Sequence, residues 1–175
     1  MRIFSVVILS SALLLAGCTH LKALHGSKAA NANSESTNSS AALPSGRGTP
    51  EEAKAMLERA VEHYNRVGRT QALDDFTKMK SPFGDRDLYV FCLGPDHKIS
   101  ANGGFAQYVG MSGDVWKDAD GKSLAKAIWE RAQTSNEGSI EYKWINPVSK
   151  QIEKKVGFFK KVGQDVCGVG AYGGE

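Results

Sequence analysis

The chain has 175 residues, with 22 Lys and Arg against 19 Asp and Glu, and a formal net charge of +3. That near balance, with no basic stripe interleaved with aromatics, argues against a nucleic-acid binder. The length allows one small domain behind an export segment, and no run of residues is apolar for long enough to form a membrane helix, which needs about 20.

The first element is that export segment. Met1 and Arg2 precede an apolar run from Ile3 to Leu15, then the small residues Ala16 and Gly17, the layout of a secretory signal peptide. Leu15-Ala16-Gly17-Cys18 resembles the bacterial lipobox. The resemblance implies a lipoprotein signal peptide over residues 1–17 and a lipidated Cys18 as the first mature residue. Thr19, in place of Asp, implies release to the outer membrane. The expected location is therefore periplasmic and lipid-anchored. Residues 18–48 read as a lipidated flexible tether, because Asn31 to Ser40 is Ser- and Asn-rich with almost no large apolar residue and cannot offset its ordering entropy. With Cys18 assigned to lipid, Cys92 and Cys167 remain. An exported pair favours a disulfide; two buried thiols in adjacent strands is the alternative. The bond requires both residues on one side of the sheet within about 6 Å between Cα atoms.

Order is expected from Thr49, giving a single domain over 49–175. Thr49-Pro50-Glu51-Glu52 combines an N-cap, a proline at the first helical position and a capping-box glutamate. Ala53, Met56, Leu57, Ala60, Val61 and Tyr64 then recur on one helical face, and Gly68 is the expected stop. A shorter helix follows near Gln71–Lys78. From Leu88 to Leu93 the chain is aromatic and aliphatic without alternation, as in a strand covered on both faces. Lys98–Ala101 reads as a return strand and Ser123 as the cap of a helix over Leu124–Gln133. Ser139–Ile145, Lys154–Val162 and Val166–Tyr172 read as three closing strands. The order predicts an α+β fold: a long N-terminal helix on a five-stranded antiparallel sheet.

Several chemical motifs fail on spacing. Gly168-Val169-Gly170-Ala171-Tyr172-Gly173 spells GxGxxG but opens no helix inside a βαβ unit; its glycines fit relief of crowding on a strand. Asp118-Ala119-Asp120-Gly121 holds Trp116 and Ala127 where an EF-hand needs acids. His20, His25, His63 and His97 form no HExxH, and no GxSxG elbow occurs. No metal site, cofactor or catalytic group is predicted.

The ordered region resembles the single Cache domain, an extracytoplasmic relative of the PAS fold, over about residues 50–173. Asn65 to Phe76 resembles that family's helix–Gly–helix opening, and Asp87 to Phe91 its first strand. Lys117 to Lys122 resembles its Asp-x-x-Gly-Lys turn. Glu141 to Trp144 with Asn146-Pro147 resembles its third strand and turn. Lys155 to Lys160 resembles its Lys-x-x-Tyr strand, and Gly168 to Tyr172 its last. Phe158 stands where the family pattern has tyrosine.

The resemblance implies a small-molecule pocket between the sheet and the irregular segment. Tyr142 and Trp144 share a face and form an apolar wall with polar tips, though core packing explains the same alternation. Lys155 is placed to neutralise a carboxylate, Asn102 to donate an amide hydrogen bond, and Phe105 and Phe158 to line the ligand. The implied function is a lipid-anchored sensory or binding module, not an enzyme. It would take a small anionic, carboxylate-bearing metabolite and signal through a separate membrane receptor, kinase or transporter. The alternative is an envelope structural or protein-interaction lipoprotein that keeps the fold without a ligand.

Overall fold

The computed structural model describes residues 46–173. The expected signal peptide, Cys18 and the expected tether up to residue 45 lie outside the described residues. Helix α1, Pro50–Val67, starts as its sequence dictates. The Glu52 amide donates to Thr49 Oγ1 at 3.1 Å, and the Thr49 amide donates back to Glu52 Oε2 at 2.8 Å. Gly68, at φ 83°, ends α1 and begins α2, Arg69–Thr77; a side chain would be strained there.

The strands are β1 (Gly84–Asp85), β2 (Leu88–Leu93), β3 (Ile99–Asn102), β4 (Glu137–Ile145), β5 (Ile152–Val162) and β6 (Asp165–Tyr172). They form one antiparallel sheet in the order β1-β2-β6-β5-β4, with β3 also paired to β2. The sheet thus has six strands where sequence reading expects five. The addition, β1, is two residues folded back on the start of β2, too short to leave a periodic signal. Helix α3, Leu124–Thr134, follows the long β3–α3 segment, which carries 3-10 turns at Ala106–Tyr108 and Gly113–Val115. Ser123 occupies the α3 N-cap, but its hydroxyl makes no capping bond.

Helices α1 and α2 cover one face of the sheet. Ala53, Met56, Leu57, Ala60, Leu73 and Phe76 pack there on Leu88, Val90, Cys92, Cys167, Val169 and Ala171. Cys92 and Cys167 lie directly opposite on β2 and β6, with Cα atoms 4.0 Å apart, and are joined as a disulfide within this core. The same side is closed by a buried carboxylate. Asp165 accepts from Tyr64 Oη (2.6 Å), Arg69 Nε (2.7 Å) and Ser100 Oγ (2.7 Å). Four elements thereby meet at one charge whose lone pairs are well satisfied.

Contacts to the domain begin just ahead of Thr49. Gly48 is buried against Leu88 and its amide donates to Asp87 Oδ1 at 2.7 Å. Arg47 pairs with Glu153 at 2.7 Å, and its carbonyl accepts from Arg86 Nη1 at 2.8 Å. Asp87, buried and also accepting from Asn146 Nδ2 at 3.1 Å, draws the segment in.

Candidate functional site

The second face of the sheet, away from α1, carries the site. Strand alternation sends Tyr89 and Phe91 of β2, Tyr142 and Trp144 of β4, Lys155 and Phe159 of β5, and Tyr172 of β6 to this side. Helix α3 covers one part through Leu124, Ala125 and Ile128. The β3–α3 segment covers the other with Phe105, Tyr108 and Trp116. Phe105 meets Tyr89 and Trp144 edge-on with ring centroids 5.9 Å apart in each case, and Trp116 meets Trp144 at 6.2 Å. Every tryptophan of the chain packs on this face, and none on the α1 side.

Glycines make room for these rings. A Cβ on Gly170 would strike the Lys155 stem, and one on Gly168 would strike Phe91. A Cβ on Gly157 would lie 2.9 Å from the Tyr142 ring, and one on Gly104 2.6 Å from the Tyr89 ring. Gly157 and Gly170 pair directly across β5 and β6. The floor is thus bare backbone, over which long side chains lie flat. This is the use of the GxGxxG string.

Lys155 lies on that floor. It is 1% exposed, and its Nζ sits 4.0 Å from the Tyr89 ring centre and 4.1 Å from that of Tyr172. The amine has no hydrogen-bond partner in the protein. Two cation–π contacts are worth up to about 2 kcal/mol each, whereas burial of an ammonium costs several kcal/mol even after relaxation. Desolvation therefore dominates and pushes the Lys155 amine well below the usual lysine range. Asp87 pulls the other way as the lesser cause, its oxygens accepting from the Gly48 amide and Asn146 Nδ2 and not from Lys155. Burial likewise pushes the Tyr89, Tyr142 and Tyr172 phenols up, so all three remain proton donors at neutral pH. Tyr172 donates to the Ile145 carbonyl at 2.8 Å, and its oxygen is 3.5 Å from that of Tyr89. Trp116 Nε1 is a second buried donor without a partner.

The expected site residues separate into two groups. Tyr142, Trp144 and Lys155 come together, with Phe105 above them. Asn102 is buried, but its Oδ1 accepts from the Phe105 amide at 2.9 Å, so it fixes the turn that carries Phe105. Phe158 lies on the opposite face, packed against the α1 core with Lys54 Nζ 4.8 Å from its ring centre. It does not share a hollow with Lys155. Tyr89, Tyr172 and Trp116 belong to the site and were missed by sequence reading. Their side-chain types were visible, but the pairings that place them on one face were not.

Aromatic side chains fill the space directly over Lys155. A groove of about 590 Å³ at the β4 edge touches this lysine and is also lined by Asp120, Lys122, Tyr142, Lys143 and Lys154. Among the described residues, no cluster of His, Cys, Asp or Glu side chains is arranged to hold a metal, and no helix is long and apolar enough to cross a membrane.

A helix-backed antiparallel sheet whose other face is roofed by an irregular segment is a PAS-like α+β architecture. The family description "Single Cache domain 2" matches residues 39–171, and the chain belongs to this family. Cache domains are extracytoplasmic sensory modules that bind small molecules. Solved structures similar to this chain include a methyl-accepting chemotaxis protein from Vibrio parahaemolyticus RIMD 2210633. It is 17% identical, with a TM-score of 0.58, covering 70% of this chain and 86% of that one. A Cache chemosensory domain described for carboxylic acid recognition is 16% identical, with a TM-score of 0.53 and coverage of 70% and 86%. The periplasmic sensor domain of a chemotaxis protein is 18% identical, with a TM-score of 0.52 and coverage of 70% and 88%. At these identities the likeness concerns the fold. No curated protein matches the chain.

Proposed function

We propose that this protein is a lipid-anchored periplasmic sensory module that binds a small carboxylate at Lys155. The single observation that carries the reading is a fully buried, partnerless amine on a glycine floor, ringed by aromatic side chains. An unpaired buried amine is costly as a purely structural feature, and a carboxylate supplies the missing partner. Tyr89 Oη and Trp116 Nε1 are further donors for the anion, and the rings contact its carbon skeleton. Carboxylic acid recognition by a Cache chemosensory domain of the same fold supports the class of ligand. Entry requires Phe105 and Tyr108 to swing aside, between Gly104 and Gly110. Residue Cys18 holds the module to the membrane, the outer membrane by its Thr19 neighbour, and a separate receptor, kinase or transporter reads the bound state. No catalytic step is assigned.

The test is a thermal-shift screen of the purified protein against carboxylates and amino acids, repeated on Lys155→Met. The reading requires a saturable shift that the variant loses. No shift with any compound would favour a second reading, an envelope interaction lipoprotein that keeps the fold without a ligand. The filled space over Lys155 is the observation on its side. Mass spectrometry of the N-terminal peptide tests the anchor: diacylglyceryl modification at Cys18 is expected, and an unmodified cysteine contradicts it.

A further inference from the structure

We propose, resting on the carboxylate reading above, that Lys155 is an uncharged amine in the empty site and that the bound anion enters together with one proton. The geometry separates Lys155 from the other buried charged groups. Asp165 has three side-chain donors, Asp87 has Gly48 and Asn146, and Asp75 has His63, Gln71 and Lys80. Lys155 Nζ has none.

No group facing the amine accepts a hydrogen bond from it, and Asp87 is the charge that favours its protonated form, outweighed by burial. From β2 the amine meets Tyr89, from β6 Tyr172 and from β4 the paired residue Tyr142, all phenols that burial keeps neutral. The roof supplies Phe105, Trp116 and Trp144, which carry no charge. Asp87 lies ahead of β2 with both oxygens in use. On β5 itself, Glu153 is held by Arg47 and Ser149, and Lys154 is exposed and points to the other face. In the groove, Asp120 pairs with Lys143, Asp118 accepts from the amides of its own turn, and Lys122 and Glu141 line it as exposed side chains, Lys122 Nζ donating to the Glu141 carbonyl.

The step balances as follows. The amine nitrogen takes a proton from solvent, the ammonium pairs with the carboxylate, and no covalent bond of the ligand changes. Neutral phenols cannot supply that proton near pH 7, so it comes from buffer. Affinity is then linked to pH. Above the titration point of the empty-site amine, each unit rise in pH weakens the carboxylate's apparent binding by about tenfold. A module built this way reads acid and anion jointly.

The experiment is isothermal titration of the full purified protein with acetate, butyrate and benzoate. It is run between pH 6 and 8, and at pH 7 in buffers of different ionisation heat. About one proton taken up per bound anion, with a Kd that weakens about tenfold from pH 7 to 8, is the expected result. Binding with a constant Kd and no proton uptake overturns the inference and leaves the carboxylate reading intact. No binding of any probe at any pH overturns both. Lysine 13Cε NMR of the ligand-free protein gives an independent readout, with the Lys155 signal assigned by its loss in Lys155→Met. An amine-type shift at pH 7.5 that becomes ammonium-type on adding the probe is expected. An ammonium-type shift in the empty protein at pH 8 overturns the inference.

Discussion

The two faces of the sheet are packed from different materials. Toward α1, aliphatic side chains, small alanines and a disulfide meet a helix whose apolar face repeats at helical period, and the buried charge of Asp165 is satisfied by three side chains. Away from α1, glycines replace aliphatics on β5 and β6, aromatic rings lie over bare backbone, and the buried charge-bearing group is left without a partner. The first face meets the requirements of stability. The second is as densely filled but leaves a buried amine without a partner, the feature on which the proposed recognition rests. Both faces belong to the same strands, alternating residue by residue, so one sheet serves both ends.

Changes to the α1 face should lower stability and spare binding. Replacing Cys92 and Cys167 together by alanine should cost the most, about 4 kcal/mol on a loop-entropy argument for a sequence separation of 75, read from the urea midpoint. Carboxylate affinity should stay within about twofold, since both residues lie on the α1 side; a large loss would break the division between the faces. Asp165→Asn should cost about 3 kcal/mol, because Tyr64 and Arg69 lose a charged acceptor at a fully buried position.

Changes to the other face should act on binding, with a stability cost only where the new atom strikes backbone. Gly168→Ala should cost about 2 kcal/mol, because the new methyl meets the Phe158 carbonyl oxygen at 2.6 Å as well as the Phe91 ring, and backbone does not yield. Gly170→Ala should cost about 1 kcal/mol or less, since it meets only the flexible Lys155 stem, yet it should abolish carboxylate binding by displacing the amine. Lys155→Met should raise stability at pH 7 by about 1 kcal/mol. The sign follows from linkage. A folded-state amine titrating below its unfolded value contributes full stability only above the unfolded value, near 10.5, and loses it as pH falls toward the folded value. The gain over wild type should therefore grow on acidification from pH 10 to 7 in calorimetric Tm.

The last comparison concerns a carboxylate on the α1 side that acid switches off. Lys80 and then His63 hold the Asp75 carboxyl down to about 2 from 3.8. Its folded value lies below its unfolded one, so its contribution is present above pH 4 and is lost as pH falls through about 2. Asp75→Asn should lower the urea midpoint at neutral pH, and the difference from wild type should shrink to nothing as pH falls from 4 to 2.

Local chemistry was legible in the sequence where neighbours in the chain decide it. The capping box at Thr49 and Glu52, the apolar face of α1 and the shared face of Tyr142 and Trp144 are short-range patterns, and each forms as read. Contacts set by strand register were not legible. Tyr89 and Tyr172 are 83 residues apart and meet only because β2 and β6 pair. Gly48 and Asp87 are 39 apart, so nothing near residue 48 marks it as docked. Phe158 is a different case. Three positions from Lys155 on an extended strand, it must point to the opposite face. The family pattern suggested a ligand contact that alternation alone forbids. The site is thus half written in local sequence, through Tyr142, Trp144, Lys155 and the glycines, and half in pairings that only the fold supplies.

The central claim is that the aromatic face, not the α1 face, receives the ligand. Intermolecular NOEs from a bound, methyl-13C-labelled acetate test it most directly. The account predicts contacts to the ring protons of Tyr89, Tyr172 and Trp144. Contacts to Phe158 and the Lys54 stem instead would contradict it.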